Sequence, residues 1–176
     1  MKCLQKKPRM ILVPYPAQGH VTPMLHLATS LYDRGFEPII VVPAFIYRRI
    51  VSKFENNEKI ILMSIPDGLD DENQVYDFFS INYSMENHMP VHLDKLLIGS
   101  SSSLQEDADA AAAGGGLIVC LIVDLLASWA IDVAVRRRVP VAGFWPAMFA
   151  TYKLITAIPD MIRHGYISEF GKFVII

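Results

Sequence analysis

The sequence has little cysteine, little charge and no surplus of either charge sign. Its two thiols, Cys3 and Cys120, in 176 residues make no disulfide framework, and a reducing compartment fits that usage best. Charged residues reach only 19% against 52% hydrophobic. That balance excludes intrinsic disorder, which needs low hydrophobicity and high net charge. A net charge of −2 supplies no basic field for nucleic acid or a membrane surface. No G-x-G-x-x-G or Walker A pattern occurs, and Gly114-Gly115-Gly116 precedes a strand-like run instead of following one, so no dinucleotide fingerprint is present. No secretory leader is expected either: the apolar stretch after the basic start is broken by Pro14 and Pro16.

The most apolar stretch, residues 117–135, contains Asp124 and Asp132. A charge at the centre of a membrane helix costs about 2.5–3.5 kcal/mol on insertion scales. The stretch therefore reads as a buried strand followed by a helix, with no membrane span. A cytoplasmic location follows as an expectation. The sequon Asn82-Tyr83-Ser84 reads as a chance match, because no secretory signal accompanies it.

What is present is an alternation of strand and helix. Short apolar runs at residues 9–14, 36–43 and 117–123 read as strands buried on both faces, and residues 59–65 and 141–145 as a third and a fifth strand. Between the first two, Thr22 suits a helix N-cap, Pro23 the first helical position and Gly35 the C-terminal left-handed position. Residues 45–54 read as a short helix, and Pro66-Asp67-Gly68 as the turn closing strand three. Residues 72–98 have helical periodicity that Pro90 splits in two. Residues 99–116 are low-complexity and read as a mobile loop. Residues 128–138 and 147–158 read as helices, with another short helical segment beginning at Pro159. Strands separated by helices imply a doubly wound α/β parallel sheet with right-handed crossovers.

In such sheets ligands bind beyond the carboxyl ends of the strands. Two residues stand out there. His20 follows strand one at the mouth of the first helix, beside Gly19, which permits close backbone approach. The positive helix end favours the neutral imidazole a general base needs; otherwise His20 packs or caps the loop. Asp124 closes strand four. It either caps the next helix or orients an imidazole as the acid of a triad does. In a parallel sheet both lie on one edge.

Other features read as structure. His26, His88, His92 and His164 lack metal-ligand spacing. Arg136-Arg137-Arg138 reads as a solvated helix end. Phe78, Phe79, Tyr83, Met85 and Met89 form an apolar stripe, core by default or the lining of an acceptor pocket.

Residues 11–27 (ILVPYPAQGHVTPMLHL) strongly resemble the start of plant UDP-dependent glycosyltransferases of small molecules. Residues 65–69 (IPDGL), 119–124 with Val139-Pro140, and Phe144-Trp145-Pro146-Ala147 match further segments in the family's order. The resemblance implies that residues 1–176 are an incomplete N-terminal acceptor-binding Rossmann-like domain. It would be the first half of a two-domain GT-B enzyme whose C-terminal UDP-sugar-binding domain is absent. It implies His20 as general base, Asp124 as its orienting acid, and Gln18, Gly19, Phe144 and Trp145 as substrate-binding. The implied reaction is an inverting transfer of a sugar, usually glucose, from a UDP-sugar to a hydroxyl of a small apolar acceptor such as a flavonoid. It uses no metal and no further cofactor. The isolated chain is expected to be inactive. A non-catalytic fragment binding an acceptor or a partner is the alternative, and a nicotinamide-dependent oxidoreductase ranks last.

Overall fold

The computed structural model describes residues 7–54, 57–69, 76–101 and 117–170. They form two units, one ending at Phe144 and one starting at Trp145.

The first unit is built on five parallel strands: β1 (Arg9–Val13), β2 (Glu37–Pro43), β3 (Ile61–Ile65), β4 (Ile118–Asp124) and β5 (Val141–Phe144). Their spatial order is β3-β2-β1-β4-β5. Ile11 lies beside Ile39 on one side and Leu121 on the other. Side chains of a strand alternate between faces, so each run feeds two cores. Ile11, Val13, Ile39, Val41, Leu121 and Val123 share one buried cluster. Leu12, Ile40, Val42 and Ile122 share another. Continuous apolar runs are what a sheet covered on both faces requires.

Helices α1 (Gln18–Asp33) and α2 (Ala44–Ile50) cover the second cluster through Val21, Met24, Ala28, Phe45 and Ile46. Helices α3 (Phe78–Asn87), α4 (Met89–Ser101) and α5 (Trp129–Arg136) cover the first, through Met85, Met89, Leu93, Leu97, Ala130 and Val133. The expected sheet with helices on both faces is therefore observed. The run at 117–135 is β4, a 3-10 turn (Leu125–Ala127) and α5. No helix among the described residues is long and apolar enough to cross a membrane.

Four local expectations need correction. Helix α1 starts at Gln18, with Ala17 as N-cap, and not at Thr22-Pro23. The Ala17 carbonyl accepts the N–H groups of His20 and Val21 (both 2.9 Å), which closes a turn before Thr22 is reached. Pro23 then sits inside the helix and cannot donate to the Gly19 carbonyl. Second, α4 runs through Ser101, so residues 99–101 of the supposed loop are helical; the remainder, 102–116, lies outside the described residues. Third, Arg137 is not a free solvated end: its guanidinium grips Asp94 with two hydrogen bonds (2.7 and 2.5 Å).

The fourth correction concerns the second unit, helix α6 (Phe149–Arg163), which passes through Pro159 without restarting. Proline meets the helical φ and removes one ladder bond. The end of α6 is held locally by the Arg163–Asp160 ion pair (3.0 Å) and the His164 N–H bond to the Asp160 carbonyl (2.9 Å).

The Pro66-Asp67-Gly68 turn is a buried knot. Asp67, 4% exposed, accepts the N–H of Phe45 in the first turn of α2 (2.9 Å) and that of Leu69 (3.1 Å). The buried Ser84 hydroxyl of α3 donates to the Asp67 carbonyl. Gly68 has φ +70°, and a Cβ there would lie 2.7 Å from the His88 ring. The turn thus ties β3, α2 and α3 together at the carboxyl edge of the sheet.

Candidate active site

The strand order places a topological switch between β1 and β4, where successive connections leave in opposite directions. That is where doubly wound sheets open a ligand crevice. Val13 pairs with Val123 at this edge. The chain after Val13 turns into α1 and carries His20 in its first turn, while Asp124 is the last residue of β4.

The two side chains meet. His20 Nδ1–H donates to Asp124 Oδ2 at 2.7 Å. Asp124 is fully buried, and the His20 side chain is 21% exposed. The second carboxylate oxygen, Oδ1, accepts the Leu126 N–H at 3.0 Å and opens the 3-10 turn. Both sequence readings of Asp124, cap and imidazole partner, are therefore realised, one by each oxygen. A carboxylate on Nδ1 fixes the tautomer and leaves the Nε2 lone pair to accept a proton. Among the described residues, no protein group occupies Nε2. Once protonated, the imidazolium would face a buried carboxylate held in place by a backbone N–H.

Sequence reasoning missed Tyr15. Its ring meets the His20 imidazole edge-on, with centroids 5.2 Å apart at 62°. Burial, and secondarily the Asp124 carboxylate, push the Tyr15 phenol above its ordinary range. Its position two residues past β1, in the loop that carries His20, was the available signal.

The other named residues separate. Gly19 is in the same helical turn, and a Cβ there would meet nothing within 4 Å, so the space beside it is open. Phe144, the last residue of β5, is in register with Asp124 and shares its edge. Gln18 lies about 200° around the helix from His20 at 3.6 residues per turn. It lines a cavity between α1 and α2 on the far side. Trp145 belongs to the second unit, where its indole donates to the Met148 carbonyl (3.1 Å) and tilts against Tyr152. The aromatic stripe divides: Met85 and Met89 are core, while Phe78, Phe79 and Tyr83 are exposed. The His164 Nδ1–H bonds to the Asp160 carbonyl within α6 (2.7 Å). Among the described residues, no group of three or more His, Cys, Asp or Glu could hold a metal ion.

Fold and site define a class: a Rossmann-like α/β unit with an imidazole–carboxylate pair at the switch point of its sheet. No protein-family model matches the chain. Individual proteins do. UDP-glycosyltransferase 82A1 of Arabidopsis thaliana is 51% identical over 97% of this chain, and UDP-glycosyltransferase 83A1 of the same plant is 30% identical over 94%. The chain is a homologue of plant UDP-glycosyltransferases. It spans about a third of the length of these relatives, 34% and 36%.

Solved structures agree on the fold. UGT2 of Phytolacca americana, complexed with UDP-2fluoro-glucose and pterostilbene, superposes with a TM-score of 0.71 at 17% identity. The match covers 93% of this chain and 37% of that one. A UDP-glucose: anthocyanidin 3-O-glucosyltransferase bound to UDP gives 0.69 at 20% identity, covering 95% and 37%.

Proposed function

We propose that this chain is the acceptor-side part of an inverting UDP-sugar-dependent glycosyltransferase. The observation that carries the reading is the 2.7 Å His20–Asp124 bond at the switch point, which leaves Nε2 open. In the proposed reaction Nε2 takes the proton of an acceptor hydroxyl. The oxygen forms a bond to the anomeric carbon of the UDP-sugar. The bond from that carbon to the diphosphate oxygen breaks, and UDP leaves with its electron pair. Attack opposite the leaving group inverts the anomeric centre. Asp124 holds the imidazole and steadies its protonated form. The reaction as written uses no metal.

UDP-glucose as donor and a small apolar hydroxylated acceptor, such as a flavonoid or other plant metabolite, belong to the same proposal. Homology to named UDP-glycosyltransferases and the UDP-bound neighbours support it. Gly19 and Phe144 are the residues on this edge proposed to border the substrates, and Trp145 is retained on the resemblance.

The test joins this chain to the remaining two-thirds of UDP-glycosyltransferase 82A1 and measures glucosyl transfer from UDP-glucose to a panel of phenolic acceptors. Transfer is expected, and His20→Ala should lower it by orders of magnitude in a folded protein. Transfer at the wild-type rate by that variant removes His20 as the base.

A further inference from the structure

The cavity between α1 and α2 that Gln18 lines lies on the side of α1 away from the His20 ring. It has a volume of about 280 Å³. Its α1 wall is Gln18, Val21, Thr22 and Leu25, spaced i, i+3, i+4, i+7, so one helical face supplies it. The opposite wall is Ile46, Arg49, Ile50 and Lys53, with the same spacing along α2 and the 3-10 turn that follows it (Val51–Phe54). The two walls have one character: an apolar floor with polar groups at the rim.

The rim carries charge of one sign. Arg49 and Lys53 line the cavity, and among its described lining residues none is acidic. Neither cation forms an ion pair among the described residues. Arg49 lies over the Phe45 ring at 5.9 Å, a contact that leaves the guanidinium edge open to a carboxylate. Two like charges on one helical face repel, and an anion between them relieves that repulsion. The Gln18 amide adds a donor on the facing wall.

From this geometry we infer that the α1–α2 cavity binds a small organic anion with an apolar body, a medium-chain carboxylate of about ten heavy atoms by its volume. The carboxylate sits between Arg49, Lys53 and Gln18. The chain lies along Val21, Leu25, Ile46 and Ile50. The cavity faces away from the His20 ring, although Pro16 and Ala17 of the loop before His20 also line it, and the inference stands whether or not the transfer reaction does.

The experiment titrates the 15N-labelled chain with sodium octanoate and, separately, with 1-octanol, which has the same apolar length and no charge. Octanoate should bind saturably and shift the amides of Gln18, Thr22, Ile46 and Ile50. Octanol should bind about tenfold more weakly, equivalent to one tenfold step in Kd. The double variant Arg49→Gln/Lys53→Gln changes exposed side chains only. It should reduce octanoate affinity to that of octanol at unchanged Tm. Absence of saturable octanoate binding overturns the inference. So do equal affinities for acid and alcohol, undiminished binding by the double variant, or shifts centred on Tyr15, His20 and Phe144.

Discussion

Two aspartates lie buried at the carboxyl edge of the same sheet, and their oxygens have different partners. Asp67 gives both to backbone: Oδ2 to the Phe45 N–H and Oδ1 to the Leu69 N–H. Asp124 gives Oδ1 to the Leu126 N–H and Oδ2 to the His20 imidazole. Burying a carboxylate is costly unless its oxygens are satisfied, and both residues meet that condition. The difference lies in what the partner can still do. A backbone N–H ends the chain of interactions. An imidazole passes it on, because its second nitrogen still faces outward. Burial alone would have marked both as special. The identity of the second partner separates a residue that holds a turn from one positioned for chemistry.

That contrast is broken most sharply at His20. In the glycosyl-transfer-competent chimera, His20→Ala should lower kcat by about 10²–10⁴, the usual span for a general base. Asp124→Asn should leave the imidazole in place but in the wrong tautomer, with a loss of comparable order. Steady-state kinetics with UDP-glucose, alongside thermal melts, check both. Equal activity of Asp124→Asn and wild type would reduce Asp124 to a cap.

Asp67→Ala should do the reverse. It orphans the Phe45 and Leu69 amides, at about 1–3 kcal/mol for each group left buried without a partner. The melting temperature of the 176-residue chain should fall by several degrees. In the chimera the loss of transfer should then track the loss of folded protein, and activity per folded molecule should hold. A smaller effect of the same kind is expected from Gly68→Ala. Its φ of +70° and the 2.7 Å approach to the His88 ring should cost about 1–3 kcal/mol, as strained backbone positions do. Urea denaturation of the two variants measures both costs.

The sheet was legible because β1, β2 and β4 are apolar runs that only a doubly covered sheet accommodates. The His20–Asp124 pairing was legible for a related reason: a carboxylate closing such a run needs a partner on the same edge. Prolines were harder to read. Pro90 is the second residue of α4, where a missing N–H costs nothing, so its helix break was anticipated. Pro23 and Pro159 lie inside α1 and α6, where proline's fixed φ fits the helix and the break is limited to one lost ladder bond. Misplacing the start of α1 also hid the opposite facing of Gln18 and His20, because the angle between them exists only once both are helical. Tyr15 was missed because a ring contact across a loop leaves no periodic trace. Arg137 was missed because its partner, Asp94, is 43 residues away.

That last pair is the exposed counterpart of the two buried carboxylates, and the smallest effect belongs to it. The hydrogen bond from Arg137 holds the Asp94 carboxyl below its usual value of 3.8, with the nearby guanidinium charges adding to the effect. A depressed carboxylate stabilises the fold above its unfolded value and loses that contribution as pH falls through the folded one. Asp94→Asn should therefore lower Tm only slightly at neutral pH, by about 2 °C or less for a solvent-exposed pair. The gap from wild type should stay constant down to about pH 4 and close below it, as Asp94 itself protonates. It should also shrink in high salt, which screens exposed pairs. A gap that persists at pH 2 would mean that α4 and α5 are joined there by the shape of the two side chains and not by their charge.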